Sequence, residues 1–361
     1  MMNKFEPHPD VVTSARAIDK NSAAARADIP SYMISADSHA TEPDDLFDEM
    51  PANLLERLPL FIGRNRRPEG IADPKIRVQA QDTDTISAEV LYPDRGLATF
   101  GADHDVQSLA FRIYNDWLAD HCKGAPKRLF GVTAVPAYDI DEAIREMHRG
   151  HDLGLYGALI WEVPHESLPF DSPHYEKLWA AAAEMGAPVC LHILTGFNYA
   201  LKRTTDATQR INEQANIKMT ETVNALFRIL WSGVFDRHPK LKLGLIESEI
   251  GWLPFLLQQW DYYYDRNRRA TPELSNYKIN RLPSEIFREH VYATFMDDQV
   301  GTQALAHWGQ NNCMWSSDYP HPNMTWPDSR AFAAKQIGNL PRATQERLLS
   351  KNVIDLYGLR V

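Results

Sequence analysis

Eight short apolar runs punctuate the chain: ISADSH (34–39), SAEVLYP (87–93), FGVTAVP (130–136), YGALIWE (156–162), PVCLHI (188–193), LKLGLIES (241–248), HVYATF (290–295) and CMWSSD (313–318). Most are continuous rather than alternating, the pattern of parallel strands covered on both faces. Between them the apolar positions change to helical spacing. In 105–123, Leu109, Ile113, Tyr114, Trp117 and Leu118 fall on one face. In 172–186, Tyr175, Leu178, Trp179, Ala182 and Met185 do the same behind Ser172 and Pro173, an N-cap and a first-turn proline. After the sixth run Trp252, Phe255, Leu256, Trp260 and Tyr263 repeat the spacing, and we read this aromatic stripe as core packing.

Eight strands alternating with helices predict an α/β protein built as a single (β/α)8 TIM barrel. Two connections are long, 44–85 after the first strand and 194–219 after the fifth, and both leave a strand's C-terminal end, where barrels of this kind carry their chemistry. Residues 326–358 read as two closing helices, a C-terminal helical extension. The barrel is expected over 31–361, and 1–30, with its Ala, Ser, Asp and Arg content, as a loose arm.

Composition narrows the function. The 361 residues are 44% hydrophobic and 24% charged, ordinary for a folded domain with a large core. A net charge of −10 argues against a nucleic-acid partner, and the basic cluster Arg64, Arg66 and Arg67 is too small to reverse that. No apolar stretch reaches membrane-spanning length, and the N-terminus lacks the apolar segment of a secretory signal. Cys122, Cys190 and Cys313 are odd in number and form no CxxC pair, which fits the reducing cytoplasm.

The polar residues that interrupt the runs sit at strand ends. Asp37 and His39 close the first run, His192 the fifth, Glu247 the sixth and Asp318 the eighth. Asp37 and His39, two apart, share a strand face. Taken alone, His192 also reads as a hydrogen-bonded core histidine, and Asp318 as the cap of the turn at Tyr319-Pro320. Converging on one mouth, imidazoles and carboxylates suit a divalent ion, Zn²⁺ first and Mn²⁺ second. His321 lies near the same mouth. His238 and His290 lie at strand entrances and read as structural, and His104, His148, His151 and His174 as solvated. Thr41-Glu42-Pro43-Asp44 reads as a turn leading into a helix, with Glu42 outside the metal site.

ISADSHATEP, SPHYEKLWAAAAEMGAPVCLH, DRHPKLKLGLIESEIGWLP and MWSSDYPHPNMTWPDS together resemble the amidohydrolase-2 branch of the amidohydrolase superfamily, from about Ile34 to the closing NVIDLYGL. That branch includes aminocarboxymuconate-semialdehyde, resorcylate and carboxyvanillate decarboxylases. The resemblance implies Asp37, His39, His192 and Asp318 as metal ligands and places Glu247 where many relatives have a catalytic histidine. It departs from the common pattern in having DxH on the first strand and a carboxylate at 247. With Trp161 and Glu162 closing the fourth strand in place of a bridging lysine, a single metal is expected.

The resemblance implies an enzyme acting on a small organic or aromatic acid, with decarboxylation favoured slightly over hydrolysis of an amide, lactone or C–C bond by metal-bound water. A metal-binding barrel without turnover is the third reading. For decarboxylation Asp318 is the expected proton donor, with Glu247 or His321 assisting. Trp161, Arg66 and Arg67 are candidates for substrate contacts, the arginines as a bidentate clamp on an anionic group. A homodimer is expected from the branch.

Overall fold

The computed structural model describes residues 21–60, 70–197, 205–271, 273, 278–305 and 307–361. Strands stand where the apolar runs predict them: β1 (Ile34–Ala40), β2 (Ala88–Pro93), β3 (Leu129–Ala134), β4 (Tyr156–Ile160), β5 (Val189–His192), β6 (Leu243–Ile246), β7 (Val291–Phe295) and β8 (Cys313–Trp315). They pair in parallel and in sequence order. The ring closes where Asp318 N–H donates to Asp37 O (3.0 Å) and His39 N–H donates to Tyr319 O (2.8 Å). This is the (β/α)8 barrel, and its closing bonds lie at the residues that carry the candidate chemistry.

Five strands end before their apolar runs do: β3, β4 and β5 by one or two residues, β6 by two and β8 by three. β6 stops at Ile246 and β8 at Trp315. Just beyond them Glu247 and Asp318 both take φ of 56°, in the left-handed region. Leu194, two residues past β5, does likewise at φ 65°. Such backbone cannot continue a strand, and it costs an L-residue about 1 kcal/mol or more. β1 is irregular as well: its register against β2 slips by one residue between Ser35 and Ser38, around Asp37.

The helices match in position and differ in phase. In His104–Lys123 the face turned to the barrel is Phe111, Tyr114, Leu118 and Cys122. Leu109 and Ile113 lie to one side, where Phe47 and Met50 from the excursion after β1 cover them. One helix thus buries two flanks, which the single-stripe reading could not separate. In Leu253–Ala270 the buried positions are Leu253, Leu257 and Tyr264, whereas Phe255 and Tyr263 are exposed, so the expected aromatic core stripe is only partly inside. Glu176–Met185 follows the prediction, entered through a short 3₁₀ turn that Ser172 caps and left through Gly186 at φ 68°.

Residues 44–50 are turns, and the helix expected there begins only at Ala52. The tail forms Ser329–Ile337 and then a helical stretch from Arg342 to Tyr357 containing one π turn. Of the N-terminal arm, 1–20 lie outside the described residues. Its end is tied down: Ile29 is buried, and Arg330 donates to the carbonyls of Ile29 (2.6 Å) and Pro30 (2.9 Å).

Candidate metal centre

At the C-terminal ends of the strands the structure brings together six of the polar residues that the sequence singles out. Ligand-capable atoms of Asp37, His39, His192 and Glu247 all lie within 4.8 Å of one another, and so do those of His39, Glu247, Asp318 and His321. The two groups share His39 and Glu247. His39 Nε2 is 3.1 Å from Asp318 Oδ1 and 3.7 Å from Asp37 Oδ1. His192 Nε2 is 3.5 Å from Asp37 Oδ1 and 3.8 Å from Glu247 Oε2. The sequence points to Glu247 as a group assisting catalysis; its carboxylate also stands within ligand reach.

The tautomers are set from behind. His39 Nδ1–H donates to Pro93 O (2.7 Å) and His192 Nδ1–H to Ile193 O (2.9 Å). A carbonyl only accepts, so each ring turns an Nε2 lone pair toward the cluster. Asp37, His39 and His192 are fully buried and Asp318 nearly so. Both carboxylate oxygens of Asp37, Oδ2 of Asp318 and both Nε2 atoms lack a hydrogen-bond partner. Leaving buried groups of this kind unsatisfied costs about 1–3 kcal/mol each, more where they are charged. A divalent cation held by either group would answer unpaired atoms of its members, and the mixed nitrogen and oxygen donors fit one.

His321 adds a second layer. Its ring stacks on His39 with centroids 3.6 Å apart. Nδ1 is 2.9 Å from Asp318 Oδ1 and Nε2 is 3.2 Å from Asp94 Oδ1. Two carboxylates can both accept from one imidazole only if both nitrogens carry protons. Burial works against that charge, but Asp318 and then Asp94 outweigh it and hold His321 up at about 10. For Asp318 burial pulls upward, and His321 and His39 overcome it to push the carboxyl far below its ordinary range.

Asp94 escaped the sequence reading although it obeys the same rule, standing just past the C-terminal end of β2. Two further side chains gave no sequence signal. Arg77, buried on the helix Pro74–Asp84, donates to Glu89 Oε2 (2.6 Å), to His39 O (2.6 Å) and to Tyr319 O (3.0 Å). Lys218, on Ala207–Trp231, lies 3.3 Å from Glu247 Oε1. Glu42 is buried outside the cluster, where it accepts the backbone N–H groups of Asp94, Arg95 and Gly96.

Other expectations fall as follows. Trp161 is fully buried, gives its N–H to Tyr175 Oη (3.0 Å) and packs edge-on against Tyr138. Arg66 and Arg67 lie outside the described residues. His238 and His290 are held by Glu176 (2.8 Å) and Leu241 O (3.0 Å), structural as read. His104 and His174 are less free than read, bonded to Glu142 and to Ala137 O (2.8 Å each).

Comparison with known proteins agrees with this picture. The profile of a family described as amidohydrolase matches residues 36–359. A gamma-resorcylate decarboxylase of Rhizobium sp. (strain MTP-10005) is 27% identical over 267 residues, 68% of this chain and 76% of its own. A 5-carboxyvanillate decarboxylase from Sphingomonas paucimobilis superposes with a TM-score of 0.72 at 20% identity, over 91% of this chain and 100% of its own. A dihydroxybenzoic acid decarboxylase from Polaromonas sp. JS666, solved with bound manganese and the inhibitor 2-nitroresorcinol, gives 0.68 at 22% identity, covering 91% and 98%.

Proposed function

The chain belongs to the amidohydrolase family, and from that premise we propose that it is a metal-dependent decarboxylase of an aromatic acid with a hydroxyl beside the carboxylate. The observation that carries the reading is the string Asp94–His321–Asp318, in which an imidazole flanked by two carboxylates stands against a member of the metal cluster. Decarboxylation needs a proton delivered to carbon, and this arrangement holds one at the cluster. A water-splitting hydrolase needs a base there, which a carboxylate paired to a cation serves poorly. The relatives named as decarboxylases of resorcylate, carboxyvanillate and dihydroxybenzoate support the same side.

In this reading Asp37, His39, His192 and Asp318 hold one divalent ion, with Glu247 within reach. When bound, the ion supplies positive charge that neutralises the substrate carboxylate and its neighbouring oxygen. The His321–Asp318 pair holds the proton that is delivered to the ring carbon bearing the carboxylate. The bond to CO₂ then breaks, its electron pair restores the aromatic ring, and the pair regains a proton from solvent. Zn²⁺ is the first candidate from the donor set, and Mn²⁺ is the ion named for the Polaromonas enzyme. The three buried free thiols fit work in the cytoplasm, and exposed Phe227, Phe255, Tyr262 and Tyr263 offer an apolar face for a homodimer.

The test pairs elemental analysis with turnover. The purified protein should carry about one divalent ion per chain and release CO₂ from gamma-resorcylate or 5-carboxyvanillate with appearance of the matching phenol. Metal-loaded protein that cleaves a lactone or amide without CO₂ from any hydroxybenzoate would overturn the decarboxylase reading. A folded sample that binds no metal would overturn the ligand set.

A further inference from the structure

An aromatic acid entering this site brings a negative charge to a place that already holds three carboxylates, those of Asp37, Glu247 and Asp318. His321 is committed to Asp318 and Asp94. Among the described residues, Lys218 is the one lysine or arginine in ion-pair contact with a cluster side chain. Glu247 stands between the two parts: Oε1 is 3.3 Å from Lys218 Nζ on the outer side, and Oε2 is 3.8 Å from His192 Nε2 on the inner side.

The lysine is held in place. Ile217 beside it is buried, and Thr222, one turn on, donates to Glu162 Oε1 just past the end of β4 (2.5 Å) or back to Lys218 O (2.8 Å). The helix is thereby fastened to the strand end on one side of β5 while Lys218 reaches the strand end on the other. The Lys218 side chain is 29% exposed and that of Glu247 16%, so water screens the pair only in part.

We propose that Lys218 is a positioning residue that offsets the charge of Glu247, so that an anionic substrate can settle beside that carboxylate. This rests on the aromatic-acid reading above. Without the lysine, only the bound ion would offset the charge of Glu247, and the site would discriminate against the anion in particular. Without Glu247, the lysine would no longer be needed for that purpose. The two side chains therefore depend on each other in a way that a purely structural ion pair does not require.

The experiment uses the metal-loaded full-length protein and two probes of equal shape, 2,6-dihydroxybenzoate and the neutral 2,6-dihydroxybenzamide. Dissociation constants come from rapid-mixing tryptophan fluorescence, before turnover. Lys218→Met should weaken the acid about tenfold or more and leave the amide within about twofold. Lys218→Arg should stay near the wild type, Glu247→Gln should bind the acid more tightly, and Lys218→Met/Glu247→Gln should recover the affinity lost in the single lysine variant. Equal weakening of acid and amide in Lys218→Met, or a double variant no better than that single one, would overturn the proposal. Wild-type protein that holds metal and binds neither probe would overturn the aromatic-acid reading, and this inference with it.

Discussion

Replacing Arg77 with methionine would remove a cation from beneath the candidate site while keeping the side chain's stem. Arg77 and Glu89 are 1% and 3% exposed, and the pair is 2.6 Å apart. The guanidinium lies 4.7 Å over the ring of Tyr319, a contact that the methionine would partly keep. Glu89 would be left with Gln81 Nε2 (2.7 Å) and Ser38 Oγ (3.0 Å), both neutral donors. Breaking a buried pair from one side costs about 3–5 kcal/mol, because a charge is stranded. The carbonyl of Tyr319 keeps the N–H of His39, so the further loss falls chiefly on His39 O, roughly 1 kcal/mol. We expect Arg77→Met to lose about 4 kcal/mol in equilibrium urea unfolding. Arg77→Met/Glu89→Gln, with no stranded charge, should recover about half of that. Metal content measured alongside should fall in the single variant, since His39 and the segment after Asp318 both hang on this arginine. A single variant within about 1 kcal/mol of the wild type, or a double variant no more stable than the single, would refute the reasoning.

Asp318→Asn, which keeps the shape and removes the proton-carrying oxygen, should lower CO₂ release by about 10²–10⁴-fold with the fold intact by circular dichroism. Metal analysis of the same sample separates loss of the ion from loss of the donor, and activity above about a tenth of the wild type would count against the role. His121, buried with Nδ1 on Ala72 O (3.0 Å), is lowered from 6.5 to about 4, first by burial and then by the charge of Arg77. The folded state holds it neutral while the unfolded chain takes up a proton, so its contribution is intact above pH 6.5 and is lost as pH falls toward 4. That interval is worth roughly 3 kcal/mol, and His121→Gln should flatten the acid loss of stability between pH 7 and 4.5. Parallel acid curves for the two proteins would refute it.

The strand pattern and the metal cluster were both legible in the sequence for the same reason. Continuous apolar runs are cheap to recognise, and a charged residue closing such a run must have a compensating partner at the mouth. Asp94 could have been found by that rule, since it follows LYP directly. The phase of Leu253–Ala270 could not. Leucines and aromatics alternate around it, and only the packing decides that Leu253 and Leu257 go inward while Phe255 and Tyr263 stay out. Arg77 and Lys218 were hidden more deeply. Each is a charged residue on a helix with no motif around it, and its meaning comes from partners in distant segments, Glu89 and Tyr319 for one, Glu247 for the other. At β6 and β8 the early strand ends have one cause: the site residues beyond them turn the backbone.

That turn limits what substitution can do at this centre. Glu247 and Asp318 both hold φ of 56°, a conformation that asparagine, aspartate and histidine enter far more readily than other side chains with a Cβ. Any change of chemistry at these two positions is thereby filtered by backbone geometry before reactivity is tested. At 318 the aspartate already belongs to the tolerant set. At 247 glutamate does not, whereas histidine does. A redesign of the centre would therefore find histidine or asparagine at 247 easier to install than valine, isoleucine or threonine, whatever reaction was wanted.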